Sequence, residues 1–147
     1  MDTRCCRICW NDEDWKKPAG VARDVEQGNS YASREGFGFE EWFFDYGMID
    51  DNGYKYGFLQ PLFGQNYDSY AGKDYDIVLY TLVPKNSAFY QSGRYFVAKI
   101  SNCHILTPSE FKQVYEIYRQ KNWLDKMKRQ LKRLGLDPNQ VDVEYSL

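Results

Sequence analysis

The order of periodicities along the chain constrains its fold more than any single motif. Two β-rich runs come first: Asp76-Ile77-Val78-Leu79-Tyr80-Thr81-Leu82-Val83, stopped by Pro84, and Arg94-Tyr95-Phe96-Val97-Ala98-Lys99-Ile100, opened by Gly93. Their β-branched and aromatic content marks residues 77–83 and 94–100 as central strands. Asn86 to Gly93 connects them, with turn chemistry at Ser92-Gly93. Helical signals follow. Thr107-Pro108-Ser109-Glu110 places an N-cap Thr before a proline at the first helical position and a Glu that completes a capping box. Phe111, Val114, Tyr115 and Tyr118 then share one face. Asn122 caps a second helix whose apolar stripe is Leu124, Met127, Leu131 and Leu134, with Gly135 as its stop. Strands followed by helices predict an α+β domain, with a curved mixed sheet or small open barrel and a C-terminal helical pair over 107–135. The same order argues against a doubly wound α/β fold, and no phosphate-binding loop is present.

Upstream, Arg4 to Trp10 reads as an opening strand, and Lys16 to Glu35 as a long loop without either period. Asp50-Asp51-Asn52-Gly53 is a turn signal. Tyr54 to Gln60 then alternates as a half-buried strand closed by Pro61, and Gly64 to Lys73 reads as a polar, Tyr-rich loop. The 147 residues suit one domain with one core. No apolar run approaches the ~20 residues of a membrane span, and the N-terminus lacks signal-peptide layout, so a cytoplasmic protein is expected.

The segment Gly36-Phe37-Gly38-Phe39-Glu40-Glu41-Trp42-Phe43-Phe44 packs two glycines and two carboxylates among five rings. Aromatics reach 18 % of the chain, and such rings sit either in a core or at the wall of a pocket for a planar group. Cys5, Cys6, Cys9 and Cys103 with His104 offer one Cys-x-x-Cys knuckle but no second one, because neighbours on a strand face opposite ways. Free thiols, no metal and no catalytic role for Cys or His are therefore expected, and no cofactor. Net charge is −2, which excludes a generally basic coat. The cations cluster instead between Arg119 and Arg133, where Asp125 is the sole acid.

Together, Cys9-Trp10-Asn11, the 36–44 block, Gly53-Tyr54-Lys55-Tyr56-Gly57-Phe58-Leu59-Gln60 and the Gly93-to-Asn102 strand leading into Thr107-Pro108-Ser109-Glu110 resemble reader domains attached to HNH-type modification-dependent restriction endonucleases. More broadly the chain is similar to the PUA-like superfamily of EVE, ASCH, YTH and SRA domains. The resemblance implies a strongly bent barrel with flanking helices that binds a modified base extruded from nucleic acid. Two departures stand out. Phe39 occupies a position where the relatives carry His, and no HNH motif occurs. Cutting is not expected of this chain, which would act as a specificity module with a nuclease domain or subunit as partner.

On that reading, Trp10, Trp15, Tyr31, Phe39, Trp42 and Tyr56 are candidate stacking walls, because a flipped base must recover its lost stacking. Asn11, Ser30, Glu40 and Glu41 are candidate readers of the base edge, since a carboxylate accepts from an exocyclic amine. Lys16, Lys17, Arg23, Arg34, Lys128, Arg129 and Lys132 would contact the backbone, DNA in preference to RNA. Two alternatives stand beside this one. Glu40-Glu41 with Asp45 or Asp14 has the makings of a glycoside hydrolase, and exposed Tyr and Trp suit a protein-interaction module.

Overall fold

The computed structural model describes residues 1–26, 28, 30–85 and 93–142. It is α+β, with a three-stranded open mixed sheet and five α-helices. Strand β1 (Thr3–Arg7) runs parallel to β2 (Asp74–Leu82), which pairs antiparallel with β3 (Arg94–His104). A parallel pair needs a long crossover, and here the crossover is everything from Ile8 to Lys73. It carries short helices α1 (Ala22–Val25), α2 (Tyr31–Glu35) and α3 (Tyr67–Tyr70). Only β2 is flanked on both sides, so residues 94–100, expected to be a central strand, lie instead in the edge strand β3 among the described residues. The turn expected at Ser92-Gly93 lies largely outside them.

Strand β2 alternates strictly. Tyr75, Ile77, Leu79 and Thr81 are buried, while the residues between them are not, which is the pattern of a strand with one face on a core. Cys6, Ile8, Trp15, Leu59 and Leu62 complete this sheet-side core. A second core lies under the helical hairpin of α4 (Pro108–Gln120) and α5 (Trp123–Arg133). There Trp123, Leu124, Met127 and Leu131 pack with Phe37, Trp42 and Met48. The Gly-aromatic block links the two cores: Phe37 and Trp42 enter the helical one, Phe43 and Phe44 lean on the sheet-side one.

The Thr107 capping box and the Gly135 stop act as their chemistry requires, whereas the cap expected of Asn122 does not form. Thr107 accepts from the Glu110 amide while the Glu110 carboxylate accepts from the Thr107 amide, completing the capping box. After α5, Gly135 takes φ 71°. Its amide donates to Lys132 O at 3.0 Å and the Leu136 amide to Leu131 O at 3.0 Å, which closes the helix with both bonds of a Schellman motif. Asn122 stands at the N-cap of α5 in left-handed geometry, but its side chain makes no capping bond.

Three further expectations need correction. Residues 54–60 form no strand; Lys55 makes a lone bridge to Ile49, and a 3-10 turn covers Gln60–Leu62. The cause is Asp50, whose carboxylate accepts from the amides of Asn52 and Tyr54 and from the Tyr56 hydroxyl. A side chain thus takes the donors a neighbouring strand would have satisfied. Gly57 also presses its backbone on the Phe43 ring, where a Cβ would sit 2.3 Å from Cε2. The 16–35 stretch is not all loop, since it contains α1 and α2, and α3 interrupts the 64–73 segment. No described helix is long and apolar enough to cross a membrane.

Candidate base-binding chambers

Two adjoining cavities open where the 36–44 block, the 56–64 segment and the helical hairpin meet, and Phe39, Phe58 and Phe63 line both. These rings are in contact: Phe39 to Phe58 at 5.7 Å and Phe58 to Phe63 at 4.7 Å between centroids.

The first chamber, of about 220 Å³, lies under the hairpin and is apolar. Trp42, Tyr56, Tyr115 and Tyr118 line it, with Met127 among its aliphatic contacts. It exists because no residue of α4 is fully buried; the apolar stripe expected at Phe111, Val114, Tyr115 and Tyr118 borders the cavity instead. Trp42 is 3 % exposed and its indole donates to Gln130 Oε1 at 2.7 Å. Tyr118 donates to Tyr56 O, and burial pushes both phenols upward from their ordinary pKa.

The second chamber, of about 320 Å³, is lined by Tyr31, Phe39 and Glu40 with Phe58, Gln60 and Phe63, and its glycines are Gly38 and Gly64. Tyr31 and Phe39 stack with centroids 5.8 Å apart and planes 28° from parallel. The Tyr31 hydroxyl reaches Gln140 Oε1 at 3.1 Å, which fixes the ring. Glu40 Oε1 accepts from the Cys9 amide at 3.0 Å. The whole carboxylate, Oε1 included, rests over Gly38, where a Cβ would come 2.6 to 2.8 Å from its atoms. Gln60 is exposed, and its side chain makes no hydrogen bond among the described residues. A cavity of about 150 Å³ holds one benzene ring, so this chamber has room for a substituted heterocycle.

Glu41 occupies a different environment from its neighbour. It is wholly buried and accepts from Gly38 N (2.9 Å), Asn11 Nδ2 (3.0 Å) and Ala19 N (3.2 Å). Burial raises its pKa to about 7, opposed by those donors. Asn11 is equally committed: its oxygen accepts from the amides of Glu13 and Trp15, and its amide also donates to Lys17 O. The pair ties the 11–19 loop to the 36–44 block.

The structure therefore gathers Tyr31, Phe39 and Glu40 in one chamber and Phe39, Trp42 and Tyr56 in the other. It sets Trp10, Asn11, Trp15 and Glu41 apart from both. Trp10 is half-buried, meets Trp15 and Tyr95 edge-on, and donates to Asp12; Trp15 is buried with its indole on Cys9 O at 2.8 Å. Ser30 caps α2, accepting from the Ser33 amide. Phe58, Gln60 and Phe63 are wall residues that sequence reasoning did not single out. Phe58 and Gln60 come from the 54–60 stretch, whose alternation reads as a strand, and Phe63 from the turn after it; only Phe58 beside Gly57 and Phe63 beside Gly64 gave a signal.

Among the candidate cations, Arg34 lies on α2, the helix that gives Tyr31 and Ala32 to the second chamber, and Arg23 Nε donates to Arg34 O at 3.4 Å. Lys16 and Lys17 are exposed on the loop before α1. On α5, Lys128 pairs with Asp142 at 2.7 Å, while Arg129 and Lys132 are exposed with no ion pair among the described residues. Lys126 pairs with the buried Asp45 at 2.7 Å. Cys6 and Cys9 are buried free thiols, and Cys5 is exposed. His104 bridges Asp74 and Glu110 at 2.7 and 3.1 Å. No group of three His, Cys, Asp or Glu side chains is arranged to hold a metal among the described residues.

No family model, curated protein or solved structure matches this chain.

Proposed function

We propose that the chain is a nucleic-acid reader that accepts a modified, extruded base in the second chamber, and that its fold is of the PUA-like kind. The observation that carries this is the convergence of Tyr31, Phe39 and Glu40 in one cavity with two further rings and a free carboxamide. Aromatic walls return about 1–3 kcal/mol per stacked base, which offsets the cost of unstacking it. Glu40 accepts an exocyclic amine, as a carboxylate does for cytosine N4, and Gln60 supplies both a donor and an acceptor. Gly64, with nothing within 4 Å of where a Cβ would sit, lets a ligand approach backbone closely. The apolar chamber across the Phe39–Phe58–Phe63 wall leaves those rings room to adjust when the ligand enters. Arg23 and Arg34 stand on the same side as α2 to meet phosphate, and DNA is the expected polymer.

The hydrolase alternative is less favoured, because Glu41 spends its carboxylate on three protein donors and Asp45 pairs with Lys126. The test is binding of fluorescent oligonucleotides, modified and unmodified, at two salt concentrations. Tighter binding of one modified base, with a preference that persists as salt rises, is the expected outcome. Equal binding of every base, or none, ends the proposal.

A further inference from the structure

The chambers lie on the core side of the molecule, whereas the opposite face of the sheet has a chemistry of its own. Cross-strand partners project to the same side, so the register assigns this outer face. Val78 stands opposite Lys99, Tyr80 opposite Phe96, and Leu82 opposite Arg94, while Cys5 and Arg7 flank them on β1. On β2 these are the residues between the buried ones. Phe96 is 62 % exposed and Leu82 42 %. The Arg94 guanidinium lies over the Tyr80 ring, 5.0 Å from its centroid.

We infer that this face is a stacking platform for unpaired nucleotides, a proposal that rests on the nucleic-acid reading above. Phe96 offers a bare ring. Arg94, whose guanidinium carbon lies over the Tyr80 ring, offers a second group on which a base can stack. Lys99, three residues along β3 from Phe96 and across a register shift, is exposed and makes no ion pair among the described residues, which leaves it to meet a phosphate. The acids on this face are engaged or distant: Asp76 accepts from the Asn102 amide, Asp74 holds His104, and Glu26 pairs with Arg7. A patch of rings and unpaired cations on a chain of net charge −2 is the complement of a polyanion with flat bases. A second copy of the chain fits less well, since a two-fold contact through β3 would bring Arg94 and Lys99 against their own kind.

The experiment is anisotropy titration of the whole chain with a short unmodified oligodeoxythymidylate and with a modified oligonucleotide. The variants are Phe96→Ala, Phe96→Trp and Arg94→Ala, each checked by thermal melting. Phe96→Ala is expected to weaken both ligands about tenfold, the weight of one base stack, and to leave the ratio between them unchanged. Phe96→Trp should restore binding. If the chain prefers the modified oligonucleotide but these variants bind it as wild type does, the platform is refuted and the reading of the chamber stands. If wild type binds neither ligand, both fall. Concentration-dependent self-association abolished by Phe96→Ala, with oligonucleotide binding intact, overturns the platform in favour of a homodimer face.

Discussion

Asn11 and Glu41, thirty residues apart in sequence, meet in a buried hydrogen bond of 3.0 Å that joins the 11–19 loop to the aromatic block. The same carboxylate holds the amides of Ala19 and Gly38. Its neighbour Glu40 faces the chamber, so one of two adjacent acids organises the site and the other lines it.

Stability should fall as pH rises through neutrality. Burial raises the Glu41 pKa from 4.5 to about 7. A group raised in the folded state contributes stability in full below its unfolded value, and loses it as pH climbs through the folded one. The loss is on the order of 3 kcal/mol at most. Thermal melts from about pH 5 to about pH 8 should show it, and Glu41→Gln should flatten the profile over that window. Glu41→Ala, which leaves buried donors unpaired, should cost at least about 2 kcal/mol at any pH.

Gly38→Ala should damage recognition more than folding. The new methyl would meet the Glu40 carboxylate at 2.6 to 2.8 Å, and that group can swing away. The backbone there, at φ −119°, tolerates alanine. Losing the Cys9 amide bond should cost about 1 kcal/mol. Discrimination between modified and unmodified oligonucleotides should drop to near unity, as read by direct titration of the variant.

Cysteine reactivity should follow burial. Cys5 is exposed, whereas Cys6 is buried with its thiol pushed up to about 11, and Cys9 is raised by burial and by Glu40. Thiolate is the reactive form. Alkylation near neutral pH, mapped by mass spectrometry, should label Cys5 first, and Cys6 and Cys9 only on unfolding. Early labelling of Cys9 would contradict the loop packing described above.

Much of the architecture is legible from sequence where one local rule acts alone. The β2 alternation, the Thr107 capping box and the Gly135 stop each rest on chemistry within a few residues. Tyr54 to Gln60 shows the limit, because its alternation fits a strand, whereas the Asp50 carboxylate, four and six residues upstream, binds Tyr54 and Tyr56 into a turn. The site splits the same way. Phe39 and Glu40 announce themselves beside glycines, but Phe58, Gln60 and Phe63 become wall residues only through tertiary contact. Asn11 lies next to an indole in sequence, yet its carboxamide goes to its own loop, a commitment that no spacing reveals.

Backbone contact should divide unevenly among the cations. Arg34 lies on α2 with Tyr31 and Ala32 of the second chamber, and Arg23 donates to its carbonyl, while Lys128 is held by Asp142. Each phosphate contact on a single strand contributes about −0.7 to the slope of log K against log salt. Replacing Arg23 and Arg34 with Gln should flatten that slope by up to about twice this amount without changing base preference. Charge reversal at Lys128, Arg129 and Lys132 should act less strongly, as measured in the same salt titration.

The central claim is that Glu40 reads the edge of a base enclosed by Tyr31 and Phe39. Its most direct test is the ratio of affinities for modified and unmodified oligonucleotides, measured by anisotropy for wild type and for Glu40→Gln at one salt concentration. The account predicts a clear preference in wild type that Glu40→Gln reduces by about tenfold, the weight of a hydrogen bond to a charged group, with affinity for unmodified strand unchanged. A ratio that Glu40→Gln leaves intact, or a wild-type chain that shows no preference, contradicts it.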